Sequence, residues 1–326
     1  MTCVLVTGGS GFIGQHLVAM LVASGRQTRV LDLRPPGRAV ANAQYVKGSV
    51  LDRALVDQAL DGVDEVYHLA GLPGMWVARK DDFHAVNCRG TEVVISAARE
   101  RGVTRFLHCS TESILFRSSP AGGDVEDTLL TADDMPGPYT RSKLLAERLA
   151  MEAAASGFPV VIGSPTMPIG PHDHNLTPPT AMIRHFLGKR FQFYLDFVVN
   201  LVDVRDVAAG LVLAMERGKV GHRYILGGES ISLKKLLQYV AEISGRDSLR
   251  VPVPGRLAEV TAVIMEFMAD HVTRAPPSAT PEAVRIALRS TALSTERARR
   301  ELGYAPRPIE SALRETIAYL ADKHVA

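Results

Sequence analysis

The chain has 326 residues, of which 46% are hydrophobic and 22% charged, with 37 basic and 35 acidic side chains and a formal net charge of +2. This composition is typical of a globular protein, and the lack of any block of like charge gives no reason to expect a nucleic-acid partner. Three scattered cysteines, Cys3, Cys88 and Cys109, exclude a disulfide framework and lack metal-ligand spacing, so we expect a reducing, cytoplasmic location. We see no signal peptide and no apolar run of the ~18 residues that suggest a membrane span.

The first half of the chain alternates short β-rich runs with helical patterns. Apolar and β-branched residues predict strands over residues 3–6, 28–31, 44–46, 65–69, 105–108 and 160–162. Between them, apolar residues at helical spacing predict helices that include 13–23, 53–60, 85–101 and 139–156. Because strands that alternate with helices form parallel sheets covered on both faces, this order predicts an α/β fold with a Rossmann-type doubly wound parallel sheet.

The pattern changes after Pro165. Residues 163–179 are rich in proline and histidine and predict a loop, whereas the apolar run 198–204 predicts a strand that rejoins the sheet. The remainder is mostly helical, with predicted helices over 207–215, 232–244, 257–268, 281–289, 294–302 and 309–321. We therefore expect a Rossmann domain of residues 1–165 with about 198–226, and a smaller, mostly helical substrate-binding part of about 166–197 and 227–326.

A glycine-rich segment, TGGSGFIG, follows the first predicted strand and opens the first helix. Gly8 permits a tight turn, Gly11 lets the backbone approach a pyrophosphate, and Gly14 allows close packing of helix on strand. The helix begins near Phe12 and Ile13, and its first N–H groups would face the phosphates. Glycine turns are common, but this one lies in the strand–turn–helix context that dinucleotide binding requires, so the sequence predicts a nicotinamide dinucleotide site.

Asp32 ends the second predicted strand, where a carboxylate can accept hydrogen bonds from the adenosine ribose hydroxyls. Because a carboxylate repels a 2′-phosphate, the expected cofactor is NAD. Arg34 lies two residues further along and could soften this preference, so NADP is not excluded. The alternative is that Asp32 is only a solvated acid at a strand end.

The sequence YTRSK places Tyr139 and Lys143 four positions apart, on one face of a helix. Because an ammonium group favours a neighbouring phenolate, we expect Lys143 to lower the pKa of Tyr139. Such a phenol exchanges a proton with a hydroxyl group while hydride moves to or from the nicotinamide. Thr111 follows the fifth predicted strand and offers a hydroxyl for the substrate oxygen. The same spacing recurs at Tyr319 and Lys323, but no strand or cofactor turn is near that pair.

Several motifs together resemble a known family: residues 8–14, the sequence HLAG at 68–71, Asn87, the pair Ser110-Thr111, residues 139–143 and the sequence VRDVA at 204–208. They are similar to the extended short-chain dehydrogenases/reductases, the NAD-dependent epimerase/dehydratase superfamily, over essentially the whole chain. Residues 110–112 and 139–147 most resemble the 3β-hydroxysteroid dehydrogenase and dihydroflavonol reductase branch. Residues 280–282 and 301–304 also resemble hopanoid-associated sugar epimerase-like proteins.

This resemblance implies roles for individual residues. Tyr139 would be the acid/base, Lys143 would orient the nicotinamide ribose and Thr111 would bind the reacting oxygen. Cofactor contacts would come from Ala70, Gly71, Asn87 and Pro165. For Asn87, a hydrogen-bonding role at the start of a helix is nearly as good an interpretation. Family members often dimerise through two helices, here 85–101 and 139–156, so a homodimer is expected.

The sequence departs from the family pattern at two places. Where many members have Gly-Asp before an adenine-contacting aliphatic residue, this chain has Gly48-Ser49-Val50, so Ser49 and Val50 are the expected adenine contacts. Asp52 is then better interpreted as a helix cap. Ser164 precedes Pro165 where an arginine is frequent, which puts the usual contacts of that segment in doubt.

Two further groups of residues invite a sharper interpretation. In sugar-nucleotide dehydratases a similar threonine is followed by two acids, but here Glu112 is followed by Ser113, so Glu112 is expected only to orient the substrate. His172 and His174 flank Asp173, but without an identifiable third ligand at helical spacing they indicate a solvated loop rather than a metal site.

Nucleotide-sugar enzymes need basic residues placed to hold a diphosphate, and the substrate-binding part offers Arg184, Lys189 and Arg190 for this. It also contains the apolar runs 191–195 and 260–268, which either pack in the core or line a large apolar cleft or a mobile lid. We therefore favour hydride transfer between NAD and a bulky, apolar ketone or secondary alcohol of sterol or triterpenoid kind, with decarboxylation where a carboxylate lies β to the new ketone. The alternatives are a nucleotide-sugar epimerase or dehydratase with tightly bound NAD, and a non-catalytic NAD-sensing module, which would not need Thr111, Tyr139 and Lys143.

Overall fold

A computed structural model describes residues 2–115, 125–187, 191–246 and 248–322. Twelve strands lie within these ranges: β1 (Cys3–Thr7), β2 (Gln27–Asp32), β3 (Ala43–Lys47), β4 (Glu65–His68), β5 (Arg105–Cys109), β6 (Val160–Pro165), β7 (Met167–Ile169), β8 (Phe191–Tyr194), β9 (Val198–Asp203), β10 (Arg223–Leu226), β11 (Glu229–Ser232) and β12 (Leu249–Pro252). Seven of them form one parallel sheet in the order β3-β2-β1-β4-β5-β6-β10, and this confirms the predicted doubly wound sheet.

The helices within the same ranges are α1 (Phe12–Ala23), α2 (Arg53–Ala59), α3 (Asp81–Phe83), α4 (Gly90–Glu100), α5 (Pro138–Ala155), α6 (Pro178–Leu187), α7 (Val204–Arg217), α8 (Leu233–Ser244), α9 (Gly255–Met268), α10 (Pro281–Arg289), α11 (Glu296–Leu302) and α12 (Ile309–Asp322). Wider π-helical turns, His84–Arg89 and Ala269–Thr273, precede α4 and follow α9. Asp52 caps α2 through a side-chain bond to the backbone N–H of Leu55, as the sequence predicts, and Ser232 caps α8 in the same way through Lys235.

Side chains of the central strands alternate between two apolar layers. Val4 and Val6 of β1 face the layer that also contains apolar residues of α1 and α7. Cys3 and Leu5 face the opposite layer, which contains residues of α2, α4 and α5. Both faces of the sheet are covered at its centre, so β1 and β6 are buried along their whole length, and polar side chains such as Thr7 and Ser164 stand near their carboxyl ends, where the loops begin.

The prediction that residues 198–204 rejoin the main sheet was wrong. β9 lies between β11 and β7 in a separate three-stranded sheet, and β10 completes the main sheet beside β6. The buried side chains of β9, including Val199 and Leu201, pack in a third apolar cluster with α8 and α12, so an apolar run alone could not reveal which sheet it joins. The domain division that we expected stays a prediction.

The predicted loop over residues 163–179 was also wrong in part. β6 continues to Pro165, β7 follows it at once, and α6 begins at Pro178. β7 lies at the edge of its sheet, where Pro168 is tolerated because edge strands have unpaired N–H positions. Proline content suggested a loop here because it does not distinguish an edge strand from a turn.

Helix α9 and the π turn after it expose many large apolar side chains. Only Ala262 of α9 is buried. Eight apolar residues of this segment are exposed: Leu257, Val260, Val263, Ile264, Met265, Phe267, Met268 and Val272. Of the two interpretations of the run 260–268, packing in the core is therefore wrong for most of it. Among the described residues, no helix is long and apolar enough to span a membrane.

Candidate active site

The glycine turn between β1 and α1 is so close to neighbouring backbone that it excludes side chains. Gly8 has φ +72°, and a Cβ there would lie 2.6 Å from the backbone nitrogen of Ala70. A Cβ on Gly14 would lie 2.3 Å from the carbonyl oxygen of Gly8, which also accepts a hydrogen bond from the N–H of Gly11 at 3.0 Å. The turn leads directly into the N-terminus of α1, where Phe12 is buried and Ile13 packs partly against the core.

Asp32 is held against this turn. Its carboxylate accepts hydrogen bonds from the backbone N–H of Ser10 and from that of Arg34, both at 3.0 Å. The guanidinium of Arg34 donates to the side chain of Asn175 at 3.2 Å, so it is engaged by another loop. A half-buried carboxylate beside the turn fits hydrogen bonding to ribose hydroxyls.

Ser49 and Val50 follow β3 in a tight turn. The hydroxyl of Ser49 accepts a hydrogen bond from the N–H of Leu51 at 3.1 Å. Val50 is buried, and one of its methyl groups would lie 2.8 Å from a Cβ on Gly90. Both residues therefore shape this turn, and their contact with adenine stays a prediction.

A buried hydrogen-bonded chain begins at the glycine turn and crosses the sheet. Thr7 accepts a bond from the N–H of Ala70 at 3.3 Å and bonds Nδ1 of His68 at 2.7 Å. Nε2 of His68 bonds Thr91 at 3.0 Å, and Thr91 donates to the carbonyl of Asn87 at 2.6 Å. Because the Thr91 hydroxyl donates its proton to that carbonyl, it must accept the bond from Nε2 of His68. The proton of the His68 ring is therefore on Nε2. Burial lowers the pKa of His68 to about 3, which keeps the ring neutral.

Asn87 continues this chain to the helix that carries Tyr139. Its carbonyl oxygen accepts from the N–H of Leu72 at 2.7 Å, and its amide donates to Ser142 at 2.9 Å. Ser142 in turn donates to the carbonyl of Tyr139 at 2.7 Å. A Cβ on Gly71 would lie 3.0 Å from the Asn87 side chain. Asn87 is 2% exposed, and its two side-chain bonds join the loop after β4 to α5, while its contact with the cofactor stays a prediction.

The carboxyl end of β5 and the start of α5 carry the residues predicted for catalysis, Thr111, Tyr139 and Lys143. The Thr111 hydroxyl donates to the carboxylate of Glu112 or to the hydroxyl of Ser113, each at 3.1 Å. Tyr139 stands on the first turn of α5, with the ring of buried Phe83 packed edge-on at a centroid distance of 5.8 Å. Lys143 lies one turn further, and its Nζ donates to the carbonyl of Cys109 at 2.9 Å.

Burial dominates the electrostatics of this group. Burial raises the pKa of Glu112 to about 7, against the opposing effect of its hydrogen bond with Thr111. Burial also raises the pKa of Tyr139, the Glu112 carboxylate adds to the rise, and Thr111 counteracts it. Burial lowers the pKa of Lys143. The expectation of a lowered Tyr139 pKa was therefore wrong for the protein alone: burial is the largest contribution, and Lys143 bonds the carbonyl of Cys109.

The residues present fit a nicotinamide dinucleotide. At the carboxyl ends of β1, β5 and β6, the hydroxyls of Ser10, Ser110, Ser164 and Thr166 are buried and have no hydrogen-bond partner in the described part of the chain. Ser164 and Thr166 flank buried Pro165 at the end of β6. Buried hydroxyls without partners are costly, so a polar ligand along the carboxyl ends of β1, β5 and β6 would relieve them.

The segment with two histidines packs around Asp173 while His174 is exposed, so our expectation of a solvated loop was wrong only in part. Asp173 is fully buried, and its carboxylate accepts from the N–H and the hydroxyl of Thr177 at 2.8 and 2.6 Å. The carbonyl of His172 accepts from the Gln15 side chain at 2.7 Å, which holds the loop against α1. Within the described residues no group of three or more His, Cys, Asp or Glu side chains could hold a metal ion. Lys189 and Arg190 lie outside the described residues, as does Lys323.

Sequence reasoning missed three residues of the site. His68 and Ser142 were quoted only as parts of motifs, and Glu282 only as part of a resemblance at the C-terminus. Glu282 is 4% exposed, and its carboxylate accepts from the backbone N–H groups of Tyr139 and Thr140. No local pattern links positions 142 residues apart, and the only sequence signal was the acid after Thr280-Pro281 at a helix start.

Curated relatives cover nearly the whole chain. It is 32% identical to a putative dihydroflavonol 4-reductase of Synechocystis sp., over 98% of this chain and 95% of that protein. It is 28% identical to sterol demethylase protein B of Methylococcus capsulatus, over 98% of both chains. It is 30% identical to the decarboxylating sterol-4-alpha-carboxylate 3-dehydrogenase of Mus musculus, over 92% of this chain and 86% of that protein.

Solved structures give the same fold. The crystal structure of gox2253 matches with a TM-score of 0.85 and 32% identity, over 99% of both chains. MoeE5, solved with UDP-glucuronic acid and NAD, matches with a TM-score of 0.74 and 24% identity, over 98% of this chain and 99% of that chain. The family described as the NAD dependent epimerase/dehydratase family matches residues 4–227. The chain therefore belongs to the NAD dependent epimerase/dehydratase family and is an NAD-dependent oxidoreductase.

Proposed function

We propose that this protein transfers hydride between NAD and a secondary alcohol or ketone of a bulky, apolar substrate, in the manner of a 3β-hydroxysteroid dehydrogenase. The observation that carries the proposal is the convergence of Thr111, Tyr139 and Lys143 beside a glycine turn suited to the dinucleotide. A binding module would need the turn alone.

The dinucleotide would lie with its pyrophosphate at the turn of Gly8, Gly11 and Gly14, and its adenosine ribose at Asp32. Ala70, Gly71, Asn87 and Pro165 would lie along its course towards the nicotinamide. Bound there, NAD supplies a ring that accepts or returns hydride. Lys143 would orient the nicotinamide ribose by turning its ammonium from the Cys109 carbonyl, 2.9 Å away, towards the ribose hydroxyls.

Tyr139 would take the hydroxyl proton of the alcohol as its carbon loses hydride, and return the proton in the reverse direction. Thr111 would hold the reacting oxygen by donating a hydrogen bond that it now gives to Glu112 or Ser113. Glu112 would orient the substrate from beside Thr111. Phe83 fixes the Tyr139 ring from one side, which limits its freedom before the substrate arrives.

Two observations support an apolar substrate. The α9–α10 pair reaches the start of α5 through Glu282. Helix α9 is rich in Val, Met and Phe, which suits a helix that covers an apolar substrate. Two relatives, sterol demethylase protein B and the sterol-4-alpha-carboxylate 3-dehydrogenase, have names that point to sterol chemistry. A substrate with a carboxylate β to the new ketone would lose carbon dioxide after oxidation, because the ketone accepts the electron pair of the broken bond.

The test is net formation of NADH when the purified protein is mixed with NAD and a 3β-hydroxysterol, a 4α-carboxy-3β-hydroxysterol or UDP-glucose. We expect NADH with a sterol, and a loss of roughly 10²-fold or more in turnover for Tyr139→Phe. Tyr319→Phe is the matched control, because it removes a phenol hydroxyl on α12. Isomerisation of UDP-glucose without net NADH would overturn the proposal in favour of an epimerase. Binding of NAD without turnover of any of these compounds would overturn it in favour of a sensor.

A further inference from the structure

The first turn of α5 is capped by a residue from a distant helix. One carboxylate oxygen of Glu282 accepts from the N–H and the hydroxyl of Thr140, both at 2.7 Å. The other oxygen accepts from the N–H of Tyr139 at 3.2 Å. The N–H groups of a first helical turn have no partners within the helix, so this carboxylate satisfies donors that would otherwise be buried and unpaired.

The residues before Tyr139 are suited to this arrangement. Pro138 opens the helix and has no N–H, so Tyr139 and Thr140 provide its first two donors. Gly137 stands at the cap position in an extended conformation, and a Cβ there would lie 2.5 Å from the carboxylate of Glu282. Glycine at this position therefore leaves the space that Glu282 fills.

One face of α10 binds the segment of the chain that leads into α5. Arg285 and Arg289, three and seven residues after Glu282, donate to the carbonyls of Pro136 and Asp134 at 3.4 and 2.8 Å. Residues at this spacing lie on one helix face. The segment 134–140 is thus attached to α10 at three successive points.

The same α10 is packed on α9, which is attached to the segment that follows β4. Arg285 pairs with Glu259 of α9 at 2.7 Å. At its far end, α9 continues to Asp270, which accepts from the indole N–H of Trp76 at 2.7 Å, and Glu266 pairs with Lys80 at 2.9 Å. The α9–α10 pair therefore bridges the loop after β4 and the start of α5.

We propose that Glu282 is a positioning residue for the acid–base step: its carboxylate fixes the first turn of α5, from which Tyr139 projects. This rests on the proposed role of Tyr139. A carboxylate suits the position because its two oxygens only accept, and the three groups facing them all donate. Its negative charge is also favourable at a helix N-terminus.

The test compares Glu282→Gln with wild type. The amide has one oxygen, so it can still accept from Thr140, but its NH₂ group meets the N–H of Tyr139, donor against donor. We expect faster hydrogen exchange at the backbone amides of Tyr139 and Thr140, read by mass spectrometry or NMR. We expect kcat for reduction of 5α-cholestan-3-one with NADH to fall roughly tenfold or more, because a small displacement of a catalytic group is costly. NADH affinity, read by fluorescence, should be unchanged because the glycine turn is untouched.

The pH profile separates positioning from a loss of folding. The charge of Glu282 raises the pKa of Tyr139, so its removal should move the Tyr139-dependent limb of kcat to lower pH while the plateau falls. A merely destabilised protein would lose active molecules without moving that limb.

Gly255→Ala is the matched control. A Cβ on Gly255 would lie 2.6 Å from the Leu288 side chain, so it disturbs the packing of α9 on α10 without touching Glu282 or α5. Its exchange at Tyr139 and its pH profile should match wild type. Glu282→Asp is the second variant if Glu282→Gln does not fold, because it keeps the charge and shortens the reach by one methylene.

Unchanged kcat in Glu282→Gln, or in Glu282→Asp where only that variant folds, would overturn the proposal. So would a Gly255→Ala protein with the same exchange and kinetic changes. Failure of the proposed function is distinguishable, because Tyr139→Phe would then retain turnover whatever Glu282 does.

Discussion

Glu112→Gln separates the electrostatics of the site from its chemistry. Burial raises the pKa of Glu112 from its ordinary 4.5 to about 7. The carboxyl of an unfolded chain ionises near 4.5, so the folded protein holds a proton between these two pH values that the unfolded chain has lost. The stability that comes from protonated Glu112 is therefore fully present below pH 4.5 and is lost as the pH rises through about 7.

The magnitude follows from the width of this interval. From pH 4.5 to about 7, at about 1.36 kcal/mol for each pH unit, the free energy of unfolding falls by about 3 kcal/mol at most. The residue is partly exposed, and solvent screening reduces this to about 1–2 kcal/mol. Glutamine does not titrate, so this part of the pH dependence disappears in the variant.

The assay is urea unfolding of wild type and Glu112→Gln at several values between about pH 4 and 8. Other groups titrate as well: burial lowers the pKa of His68 to about 3, which makes stability rise with pH up to its ordinary range. These contributions are common to both proteins and cancel in the difference. Exposed Glu242→Gln controls for the change in net charge. A difference in unfolding free energy that is constant with pH would refute the reasoning.

The same variant tests the part Glu112 plays in turnover. We expect Glu112→Gln to keep measurable turnover, because an amide can still accept a hydrogen bond and orient the substrate. Tyr139→Phe should lower it roughly 10²-fold or more. If Glu112→Gln lost turnover as completely as Tyr139→Phe, Glu112 would be a proton-transfer residue and the orienting role would be wrong.

Three further outcomes can be measured separately. Gly8→Ala should abolish NADH binding in a fluorescence titration, because φ is +72° and the new Cβ would lie 2.6 Å from the Ala70 nitrogen; binding within error of wild type would contradict the placement of the pyrophosphate. Asp32→Ser should raise the affinity for NADPH relative to NADH by removing the charge that opposes a 2′-phosphate, and an unchanged ratio would remove Asp32 from the ribose site. Arg223→Met should lower the free energy of unfolding by about 3–5 kcal/mol, because it leaves the carboxylate of Glu147, only 1% exposed, buried without its ion pair; a loss below 1 kcal/mol in urea unfolding would contradict this.

The core of the fold could be predicted because its signals are local. The glycine turn, the apolar strands and the helix that begins at Pro138 each show a pattern within a dozen residues. The assignment of β9 to its sheet could not be predicted, because strands of both sheets are equally buried and apolar. Only the packing of Val199 and Leu201 against α8 and α12 decides it.

The candidate site divides in the same way. Tyr139 and Lys143 share one helix face, so spacing found them, and Thr111 and Asp32 stand at strand ends, where polar residues are conspicuous. His68 looks like one more residue of a buried strand until Thr7 and Thr91 are seen at its two nitrogens. The sign of a pKa shift was beyond the sequence as well, because it depends on how much burial opposes the neighbouring charge.

The raised pKa of Tyr139 implies that its side chain stays a protonated phenol in the protein without cofactor. Burial and the Glu112 carboxylate both oppose the phenolate, and Lys143 bonds the Cys109 carbonyl. Oxidised nicotinamide carries a positive charge and reduced nicotinamide does not. If the ring lies beside Tyr139, NAD should lower the pKa of this phenol, and NADH should lower it less.

The measurement is the absorbance change of tyrosinate formation on raising pH, taken as wild type minus Tyr139→Phe, without cofactor, with NAD and with NADH. We expect the titration to move to lower pH in the order protein alone, NADH, NAD. Lys143→Met, which has a similar length but no charge, should reduce the movement, because the ammonium is then no longer available to turn towards the phenol and the ribose. Identical titrations with and without NAD would show that the ring lies away from Tyr139. The acid–base role would then need another residue, and Glu112, with a pKa of about 7 and a 3.1 Å bond to Thr111, would be the first to test.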